Sequence, residues 1–145
     1  MKVFLSAAIT SGRREYVEAV RAIAQALQDE GVEVLNQRVA DPTFPQPSVD
    51  RARALREVYQ WLQEADALVA EATISSTGVG CELTTVQMRG KPVLLLYDAH
   101  FGFRISDWVL HHPDPKVTAR PYRDLPELVE EVRRFVRGLR GAASG

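Results

Sequence analysis

The chain has 145 residues, of which 46% are hydrophobic, and its 18 basic residues are balanced by 19 acidic ones. This length suits one domain, and this hydrophobic content excludes a disordered chain. The balanced charge gives no electrostatic basis for binding nucleic acid or a membrane, so phosphate recognition would need a local pocket. The single Cys81 excludes an internal disulfide, and the three histidines lack a zinc-ligand spacing, so we expect neither a metal nor another cofactor.

The apolar run at residues 3–8 predicts a first buried strand. Residues 1–9 superficially resemble a signal peptide, but the run is short and leads directly into the polar Thr10-Ser11-Gly12-Arg13. No apolar run in the sequence reaches the length that spans a membrane. We therefore expect a cytoplasmic protein.

Helix-like and strand-like patterns alternate along the rest of the chain. Helices are predicted at residues 15–30, from Ser48 or Asp50 to 64, at 78–89, at 103–110 and at 125–139. Strands are predicted at residues 32–35, 67–70, 92–97 and 117–122. The proline-rich residues 41–47 indicate a loop, which either covers a pocket or is only a linker. We expect one domain over residues 1–140 and a frayed tail over 141–145.

This alternation predicts a single three-layer α/β domain, flavodoxin-like or Rossmann-like, with a five-stranded parallel sheet. Ligands of such domains bind beyond the carboxyl ends of the strands. The loop at residues 6–13, the region of Arg38, the loop at 73–80 and the segment after Asp98 all follow predicted strands. We therefore expect these polar segments to share one crevice.

A strand, a loop of small residues and a helix are predicted in succession across residues 70–83. The small residues let a ligand approach the backbone, and the first amides of the helix can hold an anion. Glu82 lies early in this helix, where we expect the dipole to favour its ionised form. A charged carboxylate beside an anion site suggests a nucleophile, and the alternative is a glutamate that only complements the dipole.

Two motifs carry a family resemblance. Residues 61–73 are followed by Ser76-Thr77-Gly78-Val79-Gly80-Cys81-Glu82-Leu83, and together they resemble the nucleoside 2-deoxyribosyltransferase superfamily. Within it, the chain most closely resembles the 2′-deoxynucleoside 5′-phosphate N-hydrolases. Residues 3–13 resemble the first strand and glycine-rich loop of the family, and residues 35–40 resemble the end of its second strand.

The resemblance implies hydrolysis of the N-glycosidic bond of a nucleoside 5′-monophosphate, with release of a free base and a sugar 5-phosphate. Two alternatives stay open. In a deoxyribosyltransferase, a second base takes the place of water. In a nucleotide-binding protein without turnover, the same pocket holds the ligand and performs no chemistry.

The resemblance also assigns roles to individual residues. Glu82 falls on the nucleophile that attacks C1′ and forms a glycosyl-enzyme, as in retaining glycosidases. Ser76 and the amide of Gly78 fall on phosphate-binding positions. Ser106 falls on a serine that reaches the phosphate of the neighbouring subunit, which implies a homodimer. The further substrate contacts that we expect are Phe4, Ser6, Ile9, Ser11, Gly12, Arg13 and Arg38.

Two core positions depart from the family pattern. Phe4 replaces an active-site tyrosine, and a phenylalanine there goes with ribonucleotides in related CMP N-glycosidases, since it leaves room for a 2′-hydroxyl. Packing in the core is the alternative role for Phe4. Val58 replaces a carboxylate that helps to protonate the base. The adjacent Glu57 is turned about 100° away on a helix, so it replaces that acid only if the helix shifts its register.

The phosphate loop departs from the pattern as well. Ala8 and Thr10 stand where the family has a phosphate-binding serine and an arginine, and Ser6, Ser11 or Arg13 can compensate. The other candidate substrate contacts have alternative roles in the structure of the protein itself. Ser76 and Ser106 can each serve as a helix cap, and Arg38 can form a surface ion pair.

Overall fold

The computed structural model describes residues 1–9 and 16–144. Its strands are β1 (Lys2–Ala7), β2 (Glu33–Leu35), β3 (Ala67–Glu71), β4 (Val93–Asp98) and β5 (Val117–Tyr122). In this part of the chain they form one parallel sheet of five strands in the order β2-β1-β3-β4-β5. This is the flavodoxin-like strand order, and it confirms the predicted α/β fold.

Helices cover both faces of the sheet. They are α1 (Val17–Asp29), α2 (Arg51–Glu64), α3 (Thr77–Met88), α4 (Asp107–Leu110) and α5 (Leu125–Ser144). Helices α1 and α5 pack on one face, and α2, α3 and α4 pack on the other. Over the described ranges, none of the helices is both long and apolar enough to cross a bilayer.

Two predicted segments differ from the structure. Helix α5 ends at Ser144, beyond the predicted end at residue 139, and Arg140 ties its last turns to Glu30 at 3.5 Å. The helix predicted at 103–110 is instead a 3-10 helix (Ala99–Arg104) followed by the short α4. Ser106 separates the two because it has extended backbone and caps α4. Asp50, one of the two predicted caps, is the N-cap of α2.

The alternation of side chains along β1 and β3 decides which groups reach which layer. Phe4 and Ser6 face the layer of α2 and α3, together with Ala70, which pairs with Ser6 across the strands. Ala7 and its partner Glu71 face the opposite layer, beside α1. At the C-terminal ends of the strands, Ser6 therefore faces one layer of helices and the buried carboxyl of Glu71 faces the other.

Candidate active site

Glu82 lies where helix α3 meets the end of β1. The hydroxyl Oγ of Ser6 donates a hydrogen bond of 2.9 Å to Glu82 Oε2, and Ser6 is fully buried. Val79, Leu83 and Val86 are the buried residues of α3, and Glu82 lies on the same face by helical spacing. Packing of that apolar face therefore turns the Glu82 carboxyl toward the sheet, where Ser6 holds one of its oxygens.

Burial raises the pKa of Glu82 from 4.5 to about 7, although the hydrogen bond from Ser6 acts in the opposite direction. This corrects the expectation that the helix dipole keeps Glu82 ionised. Helix α3 begins at Thr77, so Glu82 lies in its second turn, beyond the first turn on which the dipole acts. Close to neutral pH the carboxyl exists both protonated and ionised.

The N-terminus of α3 contains Ser76 and Gly78, two of the predicted phosphate contacts. The Ser76 hydroxyl caps the helix and accepts from the Val79 amide at 3.3 Å, and the Ser76 carbonyl accepts from the Gly80 amide at 3.1 Å. An anion at this end would meet the amides of Thr77 and the exposed Gly78. A hydroxyl that accepts one bond can still donate its own hydrogen, so the cap and a phosphate contact are compatible roles for Ser76.

Ser106 lines the same groove as Ser76. Its hydroxyl caps α4 and accepts from the Trp108 amide at 3.2 Å, which again leaves its own hydrogen to donate. Both serines line a groove of about 1040 Å³ between α3 and α4, and the Trp108 side chain at its rim is 70% exposed. Glu82 is not part of the lining of this groove. The two serines thus line one groove, whereas Glu82 is hydrogen-bonded to Ser6.

Arg38 forms the ion pair that was its alternative role. Its guanidinium donates to Glu57 Oε2 at 2.9 Å and stacks on Trp61 at 4.9 Å and on Phe44 at 5.3 Å. Its Nε is buried without a hydrogen-bond partner among the described residues. Glu57 is thus engaged by Arg38, and the adjacent Val58 packs its side chain against the core.

Phe4 packs in the core, which is its alternative role. It is fully buried among the apolar side chains under α2 and α3, because a central strand covered by helices leaves no exposed surface there. Its burial favours packing in the core, and its contact with a sugar stays a prediction. Ile9 follows β1 and packs partly buried against the α1 and α5 layer. Ser11, Gly12 and Arg13 lie outside the described residues.

Sequence reasoning missed two polar pairings. Ser6 was assigned to phosphate, although the two-residue period of β1 could have placed it toward α3 and Glu82. Glu71 accepts from the Tyr122 hydroxyl, and only the fold brings together residues that are 51 positions apart. Across residues 1–9 and 16–144, no group of three or more His, Cys, Asp or Glu side chains is arranged to hold a metal ion.

Comparisons with known proteins place the chain beside nucleotide hydrolases. No family model matches it. A protein of Methanosarcina mazei, provisionally named a 2′-deoxynucleoside 5′-phosphate N-hydrolase, is 37% identical over 94% of this chain and 84% of its own length. The 5-hydroxymethyl-dUMP N-hydrolase of Rattus norvegicus is 33% identical over 72% of this chain and 65% of its own length.

The fold is shared with a solved structure. The Clostridium botulinum CMP N-glycosidase superposes with a TM-score of 0.68 over 93% of this chain and 99% of its own. Its sequence identity to this chain is 16%, so this likeness concerns the fold alone.

Proposed function

Because the chain belongs to the family of 2′-deoxynucleoside 5′-phosphate N-hydrolases, we propose that it hydrolyses the N-glycosidic bond of a nucleoside 5′-monophosphate. The products are a free base and a sugar 5-phosphate. The observation that carries this proposal is the contact between Ser6 and Glu82. It holds a carboxyl with a pKa of about 7 at the carboxyl edge of the sheet, where such folds bind ligands.

Glu82 acts as a nucleophile in two displacements. Its ionised carboxylate attacks C1′, the bond between C1′ and the base nitrogen breaks, and the electron pair leaves with the base, which takes up a proton. Water then attacks C1′ of the glycosyl-enzyme, the ester bond to Glu82 breaks, and the carboxylate is regenerated, while the water releases a proton that balances the one taken up by the base. Ser6 donates to one carboxylate oxygen, which orients the other oxygen toward the sugar.

The phosphate is bound at the start of α3. The Ser76 hydroxyl and the Gly78 amide supply hydrogen-bond donors there, and the dipole of the twelve-residue helix favours a negative charge. This phosphate contact distinguishes a nucleoside monophosphate from a plain nucleoside. It argues against a nucleoside deoxyribosyltransferase, whose substrates carry no phosphate.

The proposal includes a homodimer in which Ser106 reaches the phosphate bound by the other copy. Two features support it. Ser106 stands at the surface end of α4 with a hydrogen left to donate, and the adjacent groove with the exposed Trp108 is a surface that a second copy can cover.

A product assay tests the proposed activity. The protein is incubated with each common ribonucleoside and 2′-deoxyribonucleoside 5′-monophosphate, and base and sugar 5-phosphate are separated by chromatography. We expect equal amounts of the two products, no cleavage of unphosphorylated nucleosides and none by Glu82→Gln. A new nucleoside formed when a free base is added would identify a transferase. Binding without any product would identify a nucleotide-binding protein.

A further inference from the structure

A second buried carboxyl lies at the same edge of the sheet, on the face away from Glu82. Glu71 is 2% exposed, at the end of β3. Its Oε1 accepts from the Thr73 amide at 2.7 Å, and its Oε2 accepts from the Thr73 hydroxyl at 3.0 Å and from the Tyr122 hydroxyl. The three donors come from two different segments of the chain and converge on one side chain.

The same cluster connects three neighbouring strands. Tyr122 is the last residue of β5, and the Thr73 hydroxyl accepts from the amide of Asp98, the last residue of β4. Thr73 thus uses its hydroxyl twice, once as a donor to Glu71 and once as an acceptor from Asp98. We call Glu71, Thr73 and Tyr122 the polar lock, since these side chains tie the ends of β3, β4 and β5 together.

Thr73 is also the point from which the chain turns toward α3. Ser76, the cap of α3, lies three residues after Thr73, and Glu82 follows on that helix. A shift of this short connection would move the cap and the carboxyl together. A displacement of about 1 Å is enough to reduce catalysis about a hundredfold when a reacting group must be aligned.

We propose that the polar lock is a positioning device that fixes the start of α3, so that Ser76 and Glu82 stand where the phosphate and the sugar require them. This inference rests on the proposed function. Glu71, Thr73 and Tyr122 act through α3 and touch no substrate.

The energetics fit a role other than stability. Burial raises the pKa of Glu71 to about 7, against the hydrogen bonds from Tyr122 and Thr73, which lower it, and Asp98 raises it further. An ionised Glu71 therefore destabilises the folded protein above that pH, and its three donors offset only part of the effect. A buried carboxyl that destabilises the folded protein when it is ionised is a candidate for a role in positioning other groups.

Thr73→Val tests the lock, because it keeps the shape of the side chain and removes the hydroxyl. Thr73→Ser keeps the hydroxyl and serves as the conservative variant. Thr118→Val makes the same change on β5, at a position whose side chain forms no hydrogen bond among those described, and controls for the substitution itself. For each variant, kcat and KM are measured with the parent's best nucleotide, together with amide hydrogen exchange.

The lock predicts that Thr73→Val lowers kcat at least about tenfold while the folded fraction stays complete, and that Thr73→Ser and Thr118→Val stay within about twofold of the parent. Exchange should speed up at residues 74–80 in Thr73→Val and stay unchanged in the central strands β1 and β3. A lower melting temperature with an unchanged kcat would overturn the proposal, because the lock would then be structural only.

The exchange measurement also separates the lock from the proposed function. If the parent cleaves no nucleotide, the proposed function fails. The protection of the amides of residues 74–80 from exchange then tests by itself whether the polar lock fixes the start of α3. Equal protection in the parent and in Thr73→Val would overturn it.

Discussion

Ser6 Oγ donates a hydrogen bond of 2.9 Å to Glu82 Oε2. Ser6 lies near the end of the central strand β1, and Glu82 lies in the second turn of the adjacent helix α3. The serine is fully buried, and the carboxyl that it holds has a pKa of about 7 because of burial. The hydrogen bond favours the ionised form and burial favours the neutral form. The balance between them sets the pH at which the Glu82 carboxyl ionises.

Removal of the Ser6 hydroxyl should shift the pH dependence of the activity. In Ser6→Ala, Glu82 loses the donor that lowers its pKa, so the acidic limb of kcat/KM should move upward by about one pH unit, equivalent to ~1.4 kcal/mol. Full pH profiles of the parent and the variant provide the measurement. Ser48→Ala, at an exposed serine before α2, is the matched control. An acidic limb that stays in place in Ser6→Ala would show that Ser6 does not tune Glu82.

The ionised carboxyl of Glu82 should also lower the free energy of unfolding at high pH. Its pKa is 4.5 when unperturbed and about 7 in the folded protein. The folded state therefore binds the proton more tightly, and stability is lost as the pH rises through this window. We expect Glu82→Gln to exceed the parent in free energy of unfolding by up to about 3 kcal/mol at about pH 8, and by much less at about pH 5.

Urea unfolding of both proteins at the two pH values measures this difference. Glu130→Gln, an exposed position on α5, controls for the loss of one negative charge. A Glu82→Gln variant that is less stable than the parent at about pH 8 would mean that the ionised carboxyl stabilises the fold.

The sequence predicted the five-stranded parallel sheet and singled out Glu82 as the candidate nucleophile, because both inferences depend on local signals. Alternating strand and helix patterns imply a parallel sheet, and the small residues before α3 indicate a backbone that a ligand can approach. The electrostatic state of Glu82 could not be read from the sequence, since it depends on how deeply α3 packs on the sheet. The partners of Arg38 and Glu71 come from other elements, so these contacts appeared only in the fold.

Phe4→Tyr distinguishes core packing from a sugar contact. The buried ring places an added hydroxyl among apolar groups, so we expect a loss of about 1–3 kcal/mol in the free energy of unfolding. The ratio of kcat/KM for ribonucleotides to that for 2′-deoxyribonucleotides should not change. Phe135→Tyr, at a half-buried position of α5, is the control. A ratio that shifts toward the 2′-deoxy substrates would place the ring against the sugar.

Mixed dimers test the role of Ser106 across the interface. Glu82→Ala and Ser106→Ala should each be nearly inactive alone. When the two are co-refolded, half of the dimers are mixed and each mixed dimer has one intact site, so about a quarter of the parent activity should return. Each variant refolded with itself is the control. Parent-like activity of Ser106→Ala alone, or of a monomer, would remove Ser106 from the site of the other copy.

We expect Glu82 to become covalently attached to the sugar during turnover. A nucleotide with fluorine at C2′ slows both displacements, because fluorine disfavours the oxocarbenium-like transition state. The reaction is stopped with acid and the protein is digested and analysed by mass spectrometry. We expect a mass increase of one glycosyl 5-phosphate group on the peptide that contains Glu82, and none in Glu82→Gln. Turnover with inversion at C1′ and no adduct, or an adduct on another residue, would contradict it.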